Sequence, residues 1–239
     1  MTGAGDLQQN LLLSALSPAD LRRVRAAGEV VPLPLRKQLF KPDQPIGHIY
    51  FVLQGMISLV QPLDDGGLTE VGVIGREGFL GVPVALGGNS DSVEAMVQME
   101  GLALRMTSQD FQALMDASAP FAVKMLQFAR AMMTQLSQTA ACNSRHSLAE
   151  RLSRWLLMAN ERRDDDIVPL SHEFLSMMLG TRRAGITVAL GALKHTGIID
   201  SARSRITILN RKRLEQSACE CYGAVRQQYA TIFPDHAKH

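Results

Sequence analysis

The stretch that decides the fold is residues 170–209, LSHEFLSMMLGTRRAGITVALGALKHTGIIDSARSRITIL. Ser171 can cap a first helix, which Gly180 interrupts, and a second helix is predicted to end before Gly197. Apolar residues at helical spacing carry both patterns: Phe174, Leu175, Met178 and Leu179 in the first, and Ile186, Ala189, Leu190 and Leu193 in the second. Two short β-type runs follow, at 197–199 and 205–209. The pattern predicts two helices joined by a tight turn and followed by a small hairpin.

This order of elements is typical of a winged helix-turn-helix, and its charge agrees. Residues 170–213 carry eight basic and two acidic side chains, a local net charge of +6, whereas the whole chain is +2. A basic patch on one small module of a balanced protein is the electrostatic pattern of phosphate-backbone binding. A solvated basic face on a helical hairpin is the alternative interpretation.

Length and composition limit the class of protein. A chain of 239 residues with 46% hydrophobic and 20% charged residues fits one large or two small folded domains. No segment is apolar over the length of a membrane span, and the apolar run at 11–16 is too short for a signal peptide. Three cysteines make no disulfide framework. We therefore expect a cytoplasmic protein that does not bind membranes.

Residues 30–106 alternate short β-type runs with glycine and proline. Predicted strands are 48–53, 56–61, 70–74, 93–99 and 102–106, with turns at 54–55, 64–67, 75–78, 87–89 and 100–101. This spacing predicts a β-sandwich or small barrel. Ser17, before Pro18, and Thr107, three residues before Asp110, are predicted to cap flanking helices.

The longest helical pattern covers residues 120–143 and is apolar on two sides. One row has a coiled-coil spacing and forms a predicted dimerisation seam: Ala122, Leu126, Ala129, Met133, Leu136 and Ala140. The other row is Phe121, Met125, Phe128 and Met132. Such a helix needs two partners, so we expect the β domain on one side and the same helix of a second copy on the other. Burial within one chain is the alternative.

The order of these elements resembles the Crp/Fnr family of bacterial transcription regulators over nearly the whole chain. The resemblance implies an α+β fold with three parts: an N-terminal antiparallel β-roll of the cyclic-nucleotide-binding, jelly-roll type with flanking helices at 1–118, a long dimerisation helix at 119–143, and a C-terminal winged helix-turn-helix at 144–239. It also implies a homodimer that binds palindromic promoter DNA and contacts RNA polymerase.

The residues that would hold a cyclic nucleotide depart from the family pattern. In the family, a Gly-Glu pair precedes an Arg-Ser or Arg-Thr pair that grips the phosphate. Gly81 and Ser92 match, but Val82 and Asp91 stand at the glutamate and arginine positions. A carboxylate repels a phosphate that a guanidinium would bind, so we expect no response to cyclic AMP or cyclic GMP. The candidate effector pocket, whose ligand the sequence does not identify, is Phe79, Leu80, Gly81, Asp91 and Ser92.

No metal or cofactor is predicted from the cysteines. An iron–sulfur cluster needs about four thiolates. Cys142 stands alone in sequence, and the Cys219–Glu220–Cys221 pair, which could be a redox or metal site, has no further ligand at recognisable spacing. We interpret all three as ordinary cysteines. Haem ligation stays open, because one His or Met suffices for it.

The second helix of the motif is predicted to enter the major groove. Arg183 aligns with the family's base-reading arginine and can pair with guanine O6 and N7. Ala184 replaces a neighbouring family glutamate, and Thr187 and Val188 lie on the predicted DNA-facing side. Predicted phosphate contacts are Ser171, His172, Thr181, Arg182, Arg203 and Arg205, an exposed residue without a contact being the alternative for His172.

Two glycines weaken the second helix of the motif. Gly185 and Gly191 each cost about 1 kcal/mol of helix stability relative to alanine. We attribute both, as a hypothesis, to close approach of the helix backbone to DNA.

These patterns favour a dimeric, sequence-specific DNA-binding regulator. The alternative is a ligand-binding regulatory module, with haem or another small molecule in the β-roll, whose helix-turn-helix serves protein contacts. An enzyme is not predicted, because the sequence has no Gly-rich phosphate loop, His-Glu-x-x-His zinc motif or Gly-x-Ser-x-Gly elbow.

Overall fold

The computed structural model describes residues 6–64, 66–163, 165–202 and 205–233. After a 3₁₀ turn at Leu7–Gln9, the helices are α1 Leu11–Ser14, α2 Pro18–Ala27, α3 Val82–Ala85, α4 Ser108–Ala117, α5 Ala119–Arg145, α6 Leu148–Asn160, α7 His172–Met178, α8 Arg183–His195, α9 Arg211–Ser217 and α10 Cys221–Ala230. The strands are β1 Gly28–Leu33, β2 Gln38–Phe40, β3 His48–Pro62, β4 Leu68–Ile74, β5 Phe79–Leu80, β6 Glu94–Thr107, β7 Ile167–Val168, β8 Ile199–Ala202 and β9 Arg205–Ile208.

The strands form two sheets. The N-terminal sheet has six strands in the order β1-β6-β3-β4, with β2 beside β6 and β5 beside β3. The small C-terminal sheet has the order β7-β9-β8 and pairs antiparallel, with Ile199 opposite Ile208. The α+β class, the N-terminal antiparallel sheet, the long helix and the C-terminal helix-turn-helix are confirmed. Strands β1, β2, β5 and β7 are not among the predicted strands.

The described chain divides into two compact units. The first contains residues 6–59, 72–134 and 227–233, and the second contains the described parts of 60–71 and 135–226. Helix α5 contributes its first part to one unit and its last part to the other. The domain boundaries predicted at 118 and 143 remain predictions.

The helix starts follow the predicted capping residues. The Ser17 hydroxyl accepts the amide proton of Asp20 over 3.1 Å, and the Thr107 hydroxyl accepts that of Asp110 over 3.0 Å. These caps satisfy amide groups that the first helical turn leaves without a partner. Local sequence therefore sets where α2 and α4 begin.

Two predicted turns, at 54–55 and 100–101, are wrong, because β3 and β6 run straight through them. Gly55 adopts a φ of +89°, and a Cβ there would lie 2.5 Å from the Met99 carbonyl oxygen. A Cβ on Gly101 would lie 2.1 Å from the carbonyl oxygen of Gln54. The glycines thus permit close backbone approach between two long strands, a common reason for glycine within a strand.

A cluster of phenylalanine rings forms the core of the first unit and fixes α5 to it. The Phe79 ring lies 5.4 Å from that of Phe51 and 5.2 Å from that of Phe128, measured between centroids. Phe111 joins the cluster at 5.4 Å from Phe79 and 5.8 Å from Phe121. All four members of the second apolar row of α5, which is its inner row, are buried: Phe121, Met125, Phe128 and Met132. The prediction that this side of the helix packs on the β domain is confirmed.

Helix α5, with 27 residues, is the longest helix in the part of the chain that the structure describes. Among the described residues, no helix combines the length and the apolar character that crossing a bilayer would require.

A buried polar contact fixes the far end of the β3–β4 hairpin within the second unit. The indole Nε1 of Trp155, on α6, donates a hydrogen bond of 2.7 Å to the Glu70 carboxylate. Trp155 is 4% exposed and Glu70 is 7% exposed. A carboxylate at this depth requires such donors, because an unpartnered buried charge is costly.

Replacement of Gly101 by alanine tests the close strand approach. Gly101→Ala is expected to lower the free energy of unfolding by about 2–3 kcal/mol, because the added methyl group forces the Gln54 backbone away. Urea unfolding measures the change. Gly47→Ala is the control, since a Cβ at Gly47 meets nothing within 4 Å, and it should change stability by about 0.5 kcal/mol or less. Equal stability of the two variants would contradict the proposed contact.

Candidate nucleic-acid interface

Helices α7 and α8 form the predicted helix-turn-helix. The Ser171 hydroxyl caps α7 by accepting the amide proton of Phe174 over 3.1 Å. Gly180, with φ +55°, turns the chain, and the amide of Thr181 returns to the Ser176 carbonyl over 2.9 Å. The Ser171 hydroxyl therefore already accepts a hydrogen bond as the cap of α7, although the residue remains partly exposed.

The two sides of α8 differ as the helical pattern predicts. The buried side carries Ile186, Ala189, Leu190 and Leu193. Arg183, Ala184 and Thr187 are exposed, and Val188 is the most exposed large apolar residue among those that the structure describes, at 73%. An apolar side chain so exposed on a folded helix offers a methyl surface to a partner.

The N-terminus of α8 is strongly electropositive. Arg182 occupies the cap position and makes no capping hydrogen bond, and the first turn contains no acidic residue. Within the described part of the chain, no carboxylate lies at ion-pair distance from Arg182 or Arg183. The backbone N–H groups of the first turn that have no acceptor within the helix favour anions, and so does the helix dipole. The guanidinium groups of Arg182 and Arg183 add to that preference.

His172 is neither isolated nor fully exposed. Its Nδ1 lies 3.0 Å from the Thr187 hydroxyl, and that hydroxyl lies 3.2 Å from the carbonyl oxygen of Arg183. This chain of contacts joins the start of α7 to the exposed side of α8. His172 is thus placed to orient Thr187, a role that sequence spacing did not predict.

Gly185 has a structural cause that the sequence hypothesis missed. A Cβ at this position would lie 3.0 Å from Leu148 Cδ2, so Gly185 permits close packing of α8 on α6. A Cβ on Gly191 would meet nothing within 4 Å, and Gly191 is exposed. The attribution to DNA approach therefore remains a hypothesis for Gly191 alone.

Known families and structures match this architecture. Residues 150–217 match the Crp-like helix-turn-helix domain, and residues 30–118 match the cyclic nucleotide-binding domain. The chain belongs to the Crp/Fnr family of transcription regulators. No curated protein matches the chain.

Several solved structures share the fold of this Crp/Fnr protein. FixK2 from Bradyrhizobium japonicum is 18% identical with a TM-score of 0.70, the alignment covering 80% of this chain and 98% of that one. The c-di-GMP-responsive global regulator CLP of Xanthomonas campestris is 18% identical with a TM-score of 0.65, covering 80% and 99%. A Crp/Fnr-family transcriptional regulator from Thermus thermophilus is 21% identical with a TM-score of 0.62, covering 80% and 98%. At such identities these matches establish the fold.

Strands β8 and β9 form the wing of this Crp/Fnr protein, and Lys194 joins the wing to the end of α8. Its ammonium lies 2.8 Å from the Asp200 carboxylate and donates to the Ser201 carbonyl over 3.0 Å. The Lys194 hydrogen bond lowers the pKa of Asp200 below its ordinary value. Arg205 is exposed on β9. Arg203, also predicted to contact phosphate, lies outside the described residues.

Internal contacts use some of the positive charge counted in the sequence. Arg211 donates to the Glu215 carboxylate over 3.1 Å and to the Asn160 side chain over 2.8 Å. Lys194 is used by the wing in the same way. The exposed basic residues without a carboxylate partner among the described residues include Arg182 and Arg183, so fewer than the eight basic residues counted in the sequence are available to a binding partner.

The predicted dimerisation seam of α5, which is the outer row of this helix, has an exposed apolar surface. Leu126 and Met133 are exposed to 43% and 60%, and neighbouring Val123 to 51%. Ala122 and Leu136 are partly exposed and Ala140 is exposed, whereas Ala129 is buried within the chain. An apolar row of this kind on a long helix is typical of a surface that a partner covers.

The residues of the predicted effector pocket differ in exposure, and the pocket remains a prediction. Phe79 and Leu80 are buried in the core, and Gly81 is buried beside Ile49. The Asp91 carboxylate accepts the amide proton of Val93 over 3.4 Å, and Ser92 is exposed. Phe79 therefore serves the aromatic cluster, and Asp91 orders its own loop.

Sequence spacing missed one grouping of chemically active side chains. The three cysteines and His146 come together in the second unit, with their ligand-type atoms within 4.8 Å of one another. A signal was present, since Cys142 and His146 are four residues apart, a spacing that brings two side chains together at the end of a helix. The two segments that carry the grouping are 77 residues apart in sequence at Cys142 and Cys219, which a search for short ligand spacings does not detect.

Proposed function

We propose that this Crp/Fnr protein is a homodimeric transcription regulator that binds a palindromic duplex DNA site through α8. The observation that carries the proposal is the N-terminus of α8, where Arg182 and Arg183 are exposed beside unfilled helix amide groups. Phosphate oxygens match that end of the helix, and the exposed Arg183 can reach base edges in a major groove. Contact with RNA polymerase, which the family resemblance implies, forms part of the same proposal.

The neighbouring groups support a division of roles across the interface. Arg182, Thr181 and Arg205 are suited to phosphate contacts, which position the protein without selecting sequence. Arg183 is suited to guanine, and Val188 and Ala184 are suited to contact with a thymine methyl group. His172 holds Thr187, so both belong to the same surface. The mixture favours a site in which few bases are selected by hydrogen bonds and more by apolar contact.

The outer row of α5 supports a two-fold symmetric dimer. Pairing of this row with a second copy would cover Leu126 and Met133 and would place two copies of α8 in one assembly. A dimer with two equivalent reading helices matches DNA half-sites about one helical turn apart. This is why the proposed DNA site is a palindrome.

Variants at α8 test the DNA contacts. Arg183→Ala should weaken binding to a duplex selected from a random pool by about 1–3 kcal/mol and relax the preference at one base position. Arg182→Ala should weaken binding to all sequences alike and reduce the salt dependence by about one phosphate contact. Fluorescence anisotropy at several salt concentrations measures both. Arg22→Ala, an exposed arginine on α2, is the control, and an Arg183 variant that behaves like it would contradict the proposal.

A charge on the outer row of α5 tests the dimer. Met133→Glu is expected to give a monomer, because pairing would bury two carboxylates in an apolar seam. Analytical ultracentrifugation measures the mass. Leu35→Glu places the same change at an apolar residue that is 56% exposed elsewhere and should leave the dimer intact. A monomeric wild-type protein, or a dimeric Met133 variant, would disprove this arrangement.

Cyclic nucleotides should have no effect on this protein. Asp91 stands where the family resemblance places a phosphate-binding arginine, and like charges repel. Saturating cyclic AMP or cyclic GMP is therefore expected to change neither the melting temperature nor the DNA affinity. Binding to the folded state raises the melting temperature, so a rise with either nucleotide would refute this interpretation of the loop.

A further inference from the structure

Three thiols and one imidazole meet at the end of the long helix. Cys142 lies in the last turn of α5, and His146 follows the helix directly, its amide bonded to the Cys142 carbonyl over 3.1 Å. Cys219 and Cys221 flank Glu220 where the chain passes from α9 to α10. The sulfurs of Cys142 and Cys219 are 3.4 Å apart, and the Cys221 sulfur lies 3.6 Å from His146 Nδ1.

We propose that Cys142, His146, Cys219 and Cys221 bind a single zinc ion. Three cysteines and one histidine are an established donor set for structural zinc. Zinc–sulfur bonds of about 2.3 Å in a tetrahedron separate the sulfurs by roughly 3.8 Å, and the four ligand atoms here lie within 4.8 Å of one another. That space holds one ion and is too small for a cluster of several irons. Four protein ligands leave no open position for substrate, so the site is structural.

Glu220 supplies the outer contact that a metal-binding histidine needs. Its carboxylate lies 3.2 Å from His146 Nε2, on the ring edge opposite the sulfurs. A proton held at Nε2 by this carboxylate leaves the Nδ1 lone pair directed to the metal. A carboxylate behind a histidine ligand is a common arrangement at zinc sites, where it fixes the ring and raises its basicity.

Arg154 gives the site a counter-charge. Zinc with three thiolates and a neutral imidazole carries a net charge of −1, and Arg154 is only 5% exposed. Its Nη2 donates to Thr139 over 3.3 Å, but its Nε and Nη1 have no partner among the described residues. A buried cation without an anion is unfavourable. An anionic zinc–thiolate group nearby would remove that cost.

Arg154 lies within electrostatic range of the Cys142 and Cys221 thiols, so its charge can offset negative charge on the sulfurs.

The site would connect the end of α5 to the segment after α9. Ligands from two distant parts of the sequence close a long loop, and such a closure stabilises a fold more than a local one does in the chain-entropy view. The free energy of binding the metal adds to the free energy of folding. The zinc would thus stabilise the unit that carries the helix-turn-helix.

Metal content of the full chain tests the site directly. Protein purified under reducing conditions, equilibrated with zinc and gel-filtered, should retain about one zinc ion per chain by mass spectrometry of the metal. Replacement by cobalt should give the intense visible bands of tetrahedral thiolate coordination. Cys219→Ser and His146→Gln should each lower the retained metal, whereas His48→Gln, at an exposed histidine on β3, should retain it.

Glu220→Gln separates ligation from simple packing. The variant should still bind zinc, but with an affinity about 10–100-fold lower, as for other outer contacts of metal-binding histidines. Competition with a chromophoric chelator measures the affinity. The Glu220 side chain is 81% exposed, so a purely structural role predicts no change.

Three results would overturn the proposal, and none depends on DNA binding. They are a wild-type chain that retains neither zinc nor cobalt, a Cys142–Cys219 disulfide in protein purified under reducing conditions, and iron with inorganic sulfide in place of zinc. If a cysteine variant fails to fold by circular dichroism, the wild-type metal content and cobalt spectrum still decide the question.

Discussion

The structure depends on the way α5 is held by the phenylalanine cluster around Phe79. Rings from β3, β5, α4 and α5 meet at centroid distances of 5.2–5.8 Å. This packing buries the inner row of α5 against the β domain. It therefore fixes the outer row as the side that remains for a partner. Since aromatic pairs bury much area and prefer tilted geometries, rotation of the helix about its axis would be costly. The exposure of Leu126 and Met133 is a direct consequence of that constraint.

Features specified by neighbouring residues could be predicted from the sequence. The capping residues Ser17, Thr107 and Ser171, the span of α5 and the two helices of the motif agree with the expectation. Each depends on contacts within about one turn of helix, which the order of residues determines. The same holds for the exposed side of α8. These features were sufficient to place the family.

Features that depend on distant residues could not be predicted. Gly55 and Gly101 suggested turns, but the structure pairs them across two strands, and only that pairing explains why a side chain is excluded. Position 185 favours glycine because a side chain there would press against Leu148 on α6. The cysteines and His146 meet from segments with no common spacing. A count of basic residues has the same limit, since Lys194 and Arg211 are among the eight counted in residues 170–213 although carboxylates hold them.

The contact between Trp155 and Glu70 provides an optical reporter within the protein. Trp155 is the single tryptophan of the chain, and its indole NH is bonded to a buried carboxylate on the β3–β4 hairpin. Indole emission responds to the charge and water around the ring. The tryptophan fluorescence of the unlabelled protein therefore comes from Trp155 alone. A shift of its emission wavelength would indicate that the end of the hairpin had separated from α6.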